Sequence, residues 1–177
     1  MDLVLPDARY KNSYIKAVQE FQADFAFPLM ERKYDVLSIP DLKKDFSAYV
    51  EKIRSHARGE NLPEDFVPVT TYWLVENGEY IGRVDIRHRL TESLRNIGGH
   101  IGYDIRPSKR GEGYGSTILA LALPKAKELG LLRVLVTCDI SNTASRKIIE
   151  KNGGVLLSQK ENRQYDQSKL RFWIDIT

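Results

Sequence analysis

The chain has 177 residues, 42% of them hydrophobic, which is enough for one domain with a buried core. That domain is expected to cover residues 1–177. Its 27 basic and 24 acidic residues leave a formal charge of +3, too small and too scattered to indicate a nucleic-acid partner. The single cysteine, Cys138, excludes an intramolecular disulfide and a multi-cysteine zinc site. No apolar run reaches membrane-spanning length, and residues 1–6 lack the basic and apolar regions typical of a secretory signal, so a soluble, cytoplasmic protein without membrane contact is expected.

The first part of the chain predicts a short strand over residues 3–5 and then two amphipathic helices. Apolar residues recur at helical spacing in both, at Tyr14, Ile15, Val18, Phe21 and Phe25 and again at Leu42, Phe46, Tyr49, Val50 and Ile53. Asp41 is the expected N-cap of the second helix. The loop between them, residues 27–40, is long enough to cover a site.

Strand signals follow. Residues 67–75 and 80–90 flank the pair Asn77-Gly78, the strongest short signal for a β-hairpin, so the two strands are expected to pair antiparallel. A short connection over residues 91–98 then leads to a strand over 100–105, in which Gly102 is expected to form a bulge.

The second strand of this hairpin has one mostly apolar face and one charged face. Asp85, Arg87 and Arg89 form the charged face, which is typical of a solvated surface. The alternative is that the strands near Trp73 and Arg87 contact a substrate, together with the loop over residues 27–40.

The second half of the chain predicts a helix, a buried strand, a second helix and a hairpin. The first helix ends at Gly130, and the strand covers residues 133–138. Ser141 or Asn142 is the expected cap of the second helix, which ends near residue 152. Residues 155–161 and 170–176 are the expected final hairpin.

The most informative stretch, residues 105–116, joins a strand to a helix through a basic loop with spaced glycines. Such a junction is suited to phosphate, because the first N–H groups of the helix and its dipole point at an anion. A P-loop is excluded because no lysine follows Gly115, and a dinucleotide fingerprint needs its third small residue one place later. An ordinary glycine-rich turn is the remaining structural alternative.

Two spaced patterns carry a family resemblance. Arg110-x-x-Gly113-x-Gly115 follows the strand, and Asn142-x-x-Ser145 precedes a helix that ends in Lys151-Asn152-Gly153. In this order, and separated by one helix and one strand, they resemble the signature of the GNAT acetyltransferases. The resemblance implies an α/β fold with one mixed, mostly antiparallel sheet of six to seven strands, about four flanking helices and a splay at an acetyl-CoA site.

The resemblance also implies the residues that bind acetyl-CoA. The backbone amides implied to hold its pyrophosphate, beside the Arg110 side chain, are those of Gly111, Glu112, Gly113, Tyr114, Gly115 and Ser116. The backbone of Asp104, Ile105 and Arg106 is implied to pair with the pantetheine arm, and Asn142 and Ser145 to contact it from the other side. Lys109 and Arg106 add positive charge.

Direct transfer of an acetyl group to an amine needs a base and an acid. His100 is the expected base, at a position where several relatives carry a glutamate. The usual acid of the family is a tyrosine where this chain has Ile149, so Tyr103, water or unassisted departure of the thiolate must substitute. Cys138 is expected to pack in a buried strand and not to act as a nucleophile.

The sequence therefore predicts an N-acetyltransferase whose partners are acetyl-CoA and an unidentified amine, in a monomer or homodimer. Three scattered histidines give no metal-ligand spacing, so no metal is expected. Two other functions stay open, namely a noncatalytic acyl-CoA sensor and a nucleotide- or phosphate-binding module.

Overall fold

The structure is a computed structural model that describes residues 1–24, 37–64 and 66–177. Its described residues form seven strands in two antiparallel sheets. The larger sheet, in the order β1-β2-β3-β4, consists of β1 (Asp2–Val4), β2 (Val69–Glu76), β3 (Glu79–Arg87) and β4 (Ile101–Ile105). The smaller, in the order β5-β7-β6, consists of β5 (Arg133–Asp139), β6 (Val155–Leu156) and β7 (Lys169–Asp175).

The described residues also form seven α-helices. They are α1 (Lys11–Ala23), α2 (Ile39–Lys44), α3 (Phe46–Ser55), α4 (Glu92–Asn96), α5 (Tyr114–Glu128), α6 (Thr143–Lys151) and α7 (Gln159–Asn162). The predicted α/β class and strand number are confirmed, but the predicted sheet divides between β4 and β5. The helices outnumber the four expected because α2, α4 and α7 have only four to six residues, too few to show a helical period. None of the described helices is long and apolar enough to span a membrane.

The second predicted helix is in fact two. Asp45 lies between α2 and α3 with φ −141° and ψ 79°, and its carboxylate accepts the Ala48 N–H at 2.9 Å, which caps α3. Ser38 caps α2, so the prediction of Asp41 as the N-cap is wrong. Phe25 and most of the predicted loop over residues 27–40 lie outside the described residues.

The predicted hairpin is confirmed. Asn77 and Gly78 have φ of 49° and 79°, the positive values that a two-residue turn between twisted strands requires. The predicted bulge at Gly102 is wrong, because β3 and β4 pair without interruption from Ile86↔Ile101 to Gly82↔Ile105. The shift in register lies instead in the β2–β3 pair.

The later elements depart from expectation at two short helices. Thr91 caps α4 inside the predicted connection, since its hydroxyl accepts the Leu94 N–H. The final hairpin contains α7, and β6 keeps only two residues paired with β7. Asn142 is the cap of α6, one of the two predicted candidates.

The larger sheet separates two apolar cores. On one face, Trp73 is fully buried and stacks on Tyr14 of α1 at 4.6 Å between ring centroids. On the other face, Leu74 packs in a second core that includes Ile118 of α5 and Phe172 of β7. Because neighbouring residues of β2 point to opposite faces, the strand belongs to both cores and orients α1 and α5 on opposite sides of the sheet.

The two sheets meet at Gly99. It has φ +63°, and a Cβ there would contact the Leu135 carbonyl of β5. We expect Gly99→Ala to lower the free energy of unfolding by about 3 kcal/mol, the sum of backbone strain and overpacking. Gly130→Ala is the matched control, since Gly130 has φ +84° but nothing within 4 Å of its Cβ position, and it should cost about 1 kcal/mol. Urea unfolding measures both, and equal losses would contradict this account of the junction.

Candidate functional site

A cleft of about 600 Å³ opens where the two sheets separate. Its walls are β4 and the end of β5, and the loop before α5 and the start of α6 close it on two sides. Neither β4 nor β5 pairs with the other, so each presents a strand edge to this space.

The open edge of β4 is defined by its register with β3. The His100 carbonyl accepts the Arg87 N–H at 2.8 Å, and the Arg106 N–H donates to the Ile81 carbonyl at 2.9 Å. Since hydrogen-bonding direction alternates along a strand, the backbone of Tyr103 and Ile105 faces the cleft and that of Asp104 faces β3. Of the three residues predicted to offer backbone groups, the structure brings only Ile105 to the open edge. The backbone of Asp104 and Arg106 faces β3 instead. Tyr103 is the second residue of β4 whose backbone faces the cleft.

The glycine loop presents a run of N–H donors. Gly111 and Gly113 have φ of 81° and 87°, and Gly113 precedes the first turn of the fifteen-residue helix α5. Five successive backbone N–H groups have no hydrogen-bond acceptor among the described residues, those of Gly111, Glu112, Gly113, Tyr114 and Gly115. The Ser116 N–H, the sixth predicted donor, bonds the Gly113 carbonyl. An anion at this point would meet several donors and the positive end of a helix dipole.

The cationic side chains of the loop have carboxylate partners. Arg106 is buried and bonds Glu20 through two nitrogens at 2.6 and 2.8 Å, away from the cleft. Arg110 pairs with Asp24 at 2.5 Å, and Lys109 with Glu79 at 3.5 Å. The positive charge expected from these residues is therefore partly neutralised, which leaves the backbone N–H groups as the main attraction for an anion.

Gly115 has a packing role in addition. A Cβ there would lie 2.5 Å from the Ile148 side chain of α6, so glycine lets α5 and α6 approach closely. Asn152 at the end of α6 reinforces this contact by donating to the Ser116 carbonyl at 3.2 Å.

Tyr103 and Ser145 meet in the middle of the cleft. Asn142 accepts the Ser145 N–H at 2.9 Å, which caps α6 and places the Ser145 hydroxyl 3.0 Å from that of Tyr103. Burial raises the pKa of Tyr103 to about 12 and that of the neighbouring Cys138 to about 11. At neutral pH this part of the cleft therefore holds protonated, uncharged groups. Ile149 is fully buried in the core, so it is no part of the cleft.

His100 lies outside the cleft. Its Nδ1 accepts the Leu135 N–H at 2.9 Å, the residue is 7% exposed, and its ring faces Trp173 in a separate pocket. Burial lowers its pKa to about 4, and the charges of Arg95 and Arg87 act in the same direction. The structure does not bring this predicted base to the cleft and gives it a bridging position between the sheets.

The charged face of β3 is only partly solvated. Asp85 accepts hydrogen bonds from Arg83 at 2.8 Å and from Thr71 at 2.7 Å, and the Arg83 and Asp85 side chains are 16% and 13% exposed. Asp85, Arg87 and Asp104 line the cleft. The interpretation of these residues as a solvated surface is therefore wrong for Asp85 and Arg87. The sequence signal for their place in the cleft was the alternation of charged residues along this strand, next to the strand that carries Trp73.

A family model described as acetyltransferase (GNAT) domain matches residues 23–155. No curated protein sequence matches significantly. Among solved structures, RimL, a ribosomal L7/L12 alpha-N-protein acetyltransferase in complex with coenzyme A, is 19% identical, with TM-score 0.65 over 98% of this chain and 92% of that one.

Two further structures are similar over 98% of this chain. One is RimJ from Mycobacterium smegmatis in complex with a coenzyme A disulfide, at 17% identity, TM-score 0.66 and 80% coverage of that chain. The other is the Microcin C7 self-immunity acetyltransferase MccE in complex with acetyl-CoA and AMP, at 14% identity, TM-score 0.66 and 91% coverage. At these identities the likeness establishes the fold.

The position of His100 predicts a dependence of stability on pH. The folded protein keeps His100 neutral down to a pKa of about 4, whereas the unfolded chain takes up a proton near pH 6.5. The free energy of unfolding should therefore fall as the pH drops through this window, by about 2 kcal/mol between pH 7 and pH 5. Urea unfolding at both pH values measures it. His100→Asn, which keeps an acceptor for the Leu135 N–H, should lose this part of the pH dependence, and an unchanged dependence in the variant would contradict the prediction.

Proposed function

The chain belongs to the GNAT acetyltransferase family, and from this premise we propose that it transfers an acetyl group from acetyl-CoA directly to a primary amine. The observation that carries the proposal is one cleft with unpaired N–H donors at one end and an open strand edge beside a protonated tyrosine in its middle. The coenzyme A or acetyl-CoA bound in RimL, RimJ and MccE supports the same use of the cleft. The proposal places the protein in the cytoplasm, where its single thiol stays reduced.

The start of α5 fits the pyrophosphate of acetyl-CoA. The N–H groups of residues 111–115 lie at a helix N-terminus and have no acceptor among the described residues, and the positive φ of Gly111 and Gly113 lets the backbone turn there without a Cβ in the way of the ligand. Arg110 shapes this site, since it bonds the Ile105 carbonyl at 3.1 Å and Asp24 of the α1 end.

The edge of β4 fits the pantetheine arm. The two amides of the pantetheine arm would bond the backbone of Tyr103 and Ile105 as a further strand would, because the backbone groups of these residues face the cleft. A β4 N–H that points at the thioester oxygen would stabilise the negative charge that develops there, by about 3 kcal/mol for one such donor. Acetyl-CoA supplies the activated acetyl group.

Tyr103 is the proposed acid for the leaving thiolate. Its hydroxyl is protonated at neutral pH and is held in the cleft by Ser145. Burial that raises the pKa of Tyr103 also disfavours a thiolate formed nearby, so Tyr103 donates its proton to the sulfur as the C–S bond breaks. Tyr103 regains a proton from the nitrogen of the attacking amine, directly or through water, so that no buried tyrosinate remains. This assignment replaces the tyrosine that the family places where this chain has Ile149.

Asp85 and Asp104 are the proposed groups that take the amine proton, in place of His100. Both carboxylates line the cleft on the side of the sheet opposite α5. An acceptor ammonium between them would be attracted electrostatically and would pass a proton to a carboxylate or to water next to it.

The test of the proposed function is a screen of primary amines with acetyl-CoA, in which release of coenzyme A is followed with a thiol reagent. Turnover with at least one amine, and an N-acetylated product identified by mass spectrometry, are expected. Tight binding of acetyl-CoA without turnover of any amine would instead favour the noncatalytic sensor.

Binding should depend on the conformation of Gly113. We expect Gly113→Val to lower the affinity for acetyl-CoA at least about tenfold, because the substitution disturbs the left-handed backbone and brings a branched side chain to the N–H groups. Gly153→Val is the matched control, with φ +86° and equally open surroundings at the end of α6. Calorimetry measures both affinities. Equal affinities in the two folded variants would place the pyrophosphate elsewhere.

Tyr103→Phe should lower kcat about a hundredfold with little change in acetyl-CoA affinity, since a positioned acid typically contributes at least that factor. Tyr72→Phe is the control, because Tyr72 is also partly buried against the α5 core but does not line the cleft. Steady-state rates on the best amine of the screen measure the effect. Full activity in Tyr103→Phe would mean that the thiolate leaves without help from this hydroxyl.

A further inference from the structure

Arg87 is held at the cleft by backbone carbonyls. Its Nη1 donates to the carbonyl of Gly98 at 3.1 Å and to that of Gly99 at 3.0 Å. Its Nε and Nη2 have no hydrogen-bond acceptor among residues 1–24, 37–64 and 66–177, and no carboxylate in these ranges forms an ion pair with Arg87. The guanidinium is therefore fixed in position with three N–H donors unused.

This arrangement differs from that of the other arginines near the cleft. Arg83 pairs with Asp85, Arg106 with Glu20, and Arg110 with Asp24. Burial lowers the pKa of Arg87, and the charge of Arg83 acts in the same direction, while that of Asp85 opposes it. A partly buried cation with unused donors favours an anionic ligand, and a planar guanidinium suits a carboxylate.

The space beside Arg87 is open because of Gly102. A Cβ at Gly102 would meet only the Nη1 and Nη2 atoms of Arg87, at 3.8 and 3.9 Å. Asp85 lies opposite Gly102 in the register of β3 and β4, and Asp104 lies two residues further along β4 on the same face. We name this space the Gly102 basin, bordered by Arg87, Asp85 and Asp104.

The charges around the Gly102 basin are arranged along one direction. Arg87 supplies positive charge at the end of β3. Toward the middle of the cleft, where Tyr103 and Ile105 lie, Asp104 and Asp85 supply negative charge, part of which Arg83 compensates through its ion pair with Asp85. An acceptor with only positive groups would be repelled by Arg87, and a dianionic phosphate would be repelled by Asp85 and Asp104. A molecule with one ammonium and one carboxylate is complementary to both ends.

We propose that the Gly102 basin binds the acceptor and that this acceptor is a small amino acid-type molecule, whose carboxylate Arg87 binds while Asp85 and Asp104 attract its ammonium group. The inference rests on the proposed acetyl transfer and deepens it by naming the substrate class. Arg87 is thus a specificity-determining residue, which orients the amine toward the open edge of β4 without touching the reacting atoms.

The experiment compares acids with their amides on the protein loaded with coenzyme A. N-acetyl amino acids and the matching N-acetyl amino acid amides are titrated by calorimetry, because each pair differs only in the carboxylate charge. In the wild-type protein the best-binding acid should bind at least about tenfold more tightly than its amide, as expected for a charge-assisted pair. Arg87→Met should abolish this difference, and Arg87→Lys should keep part of it.

A second variant leaves Arg87 in place. Gly102→Ala makes only ordinary contacts in the fold but places a methyl group against the Arg87 guanidinium, so it should weaken binding of the acids while acetyl-CoA affinity stays within about twofold. Equal binding of acids and amides, binding of neither, or a preference that survives Arg87→Met would overturn the inference. Failure of the proposed function is distinguishable, because free amino acids would then give no coenzyme A release while the preference for the acid persisted in binding.

Discussion

The arrangement of the cleft depends on one junction between the two sheets, where His100 meets Leu135. The His100 N–H donates to the Leu135 carbonyl at 2.7 Å, and the Leu135 N–H donates back to the imidazole Nδ1 at 2.9 Å. A side-chain nitrogen thus takes the place of the backbone carbonyl that a continuing sheet would offer, and pairing of β4 with β5 does not extend beyond this point. The groups that line the cleft, from the open edge of β4 to the start of α6, lie beyond this junction, where β4 and β5 are no longer paired.

A second constraint is the attachment of the glycine loop to α1. Arg106 and Arg110 bond Glu20 and Asp24, which lie one helical turn apart near the end of α1. These pairs are partly buried, so removing one partner would leave a charge uncompensated. The loop is thereby fixed before any ligand arrives, and its N–H groups are left for an anion. Preorganisation of this kind lowers the entropy lost on binding.

Local sequence signals predicted the turns and caps that depend on a few neighbouring residues. The Asn77-Gly78 hairpin, the Asn142 cap and the glycine loop before α5 all follow from conformations that these residue types favour. The strand number followed from alternating and continuous apolar runs. The division into two sheets did not, since it depends on His100 bonding a residue 35 positions away.

The candidate site shows the same limit. The sequence predicted His100 near the expected thioester, but the direction of its side chain depends on which face of β4 the second sheet covers. Asp85 and Arg87 were visible as alternating charges, but the Gly98 and Gly99 carbonyls that hold Arg87 at the cleft come from a loop whose position the sequence does not predict. Short helices such as α4 carry too little periodicity to be found from sequence.

The cleft changes its electrostatic character along its length, and this gradient fits group transfer better than simple storage of a ligand. N–H donors occupy one end, protonated Tyr103 and Cys138 the middle, and the Gly102 basin with its charges of both signs the other end. A sensor would need only the first two regions. A charged basin that a glycine keeps open next to the proposed thioester position has a chemical use when a second molecule, with a charge pattern of its own, must be oriented toward the acetyl group.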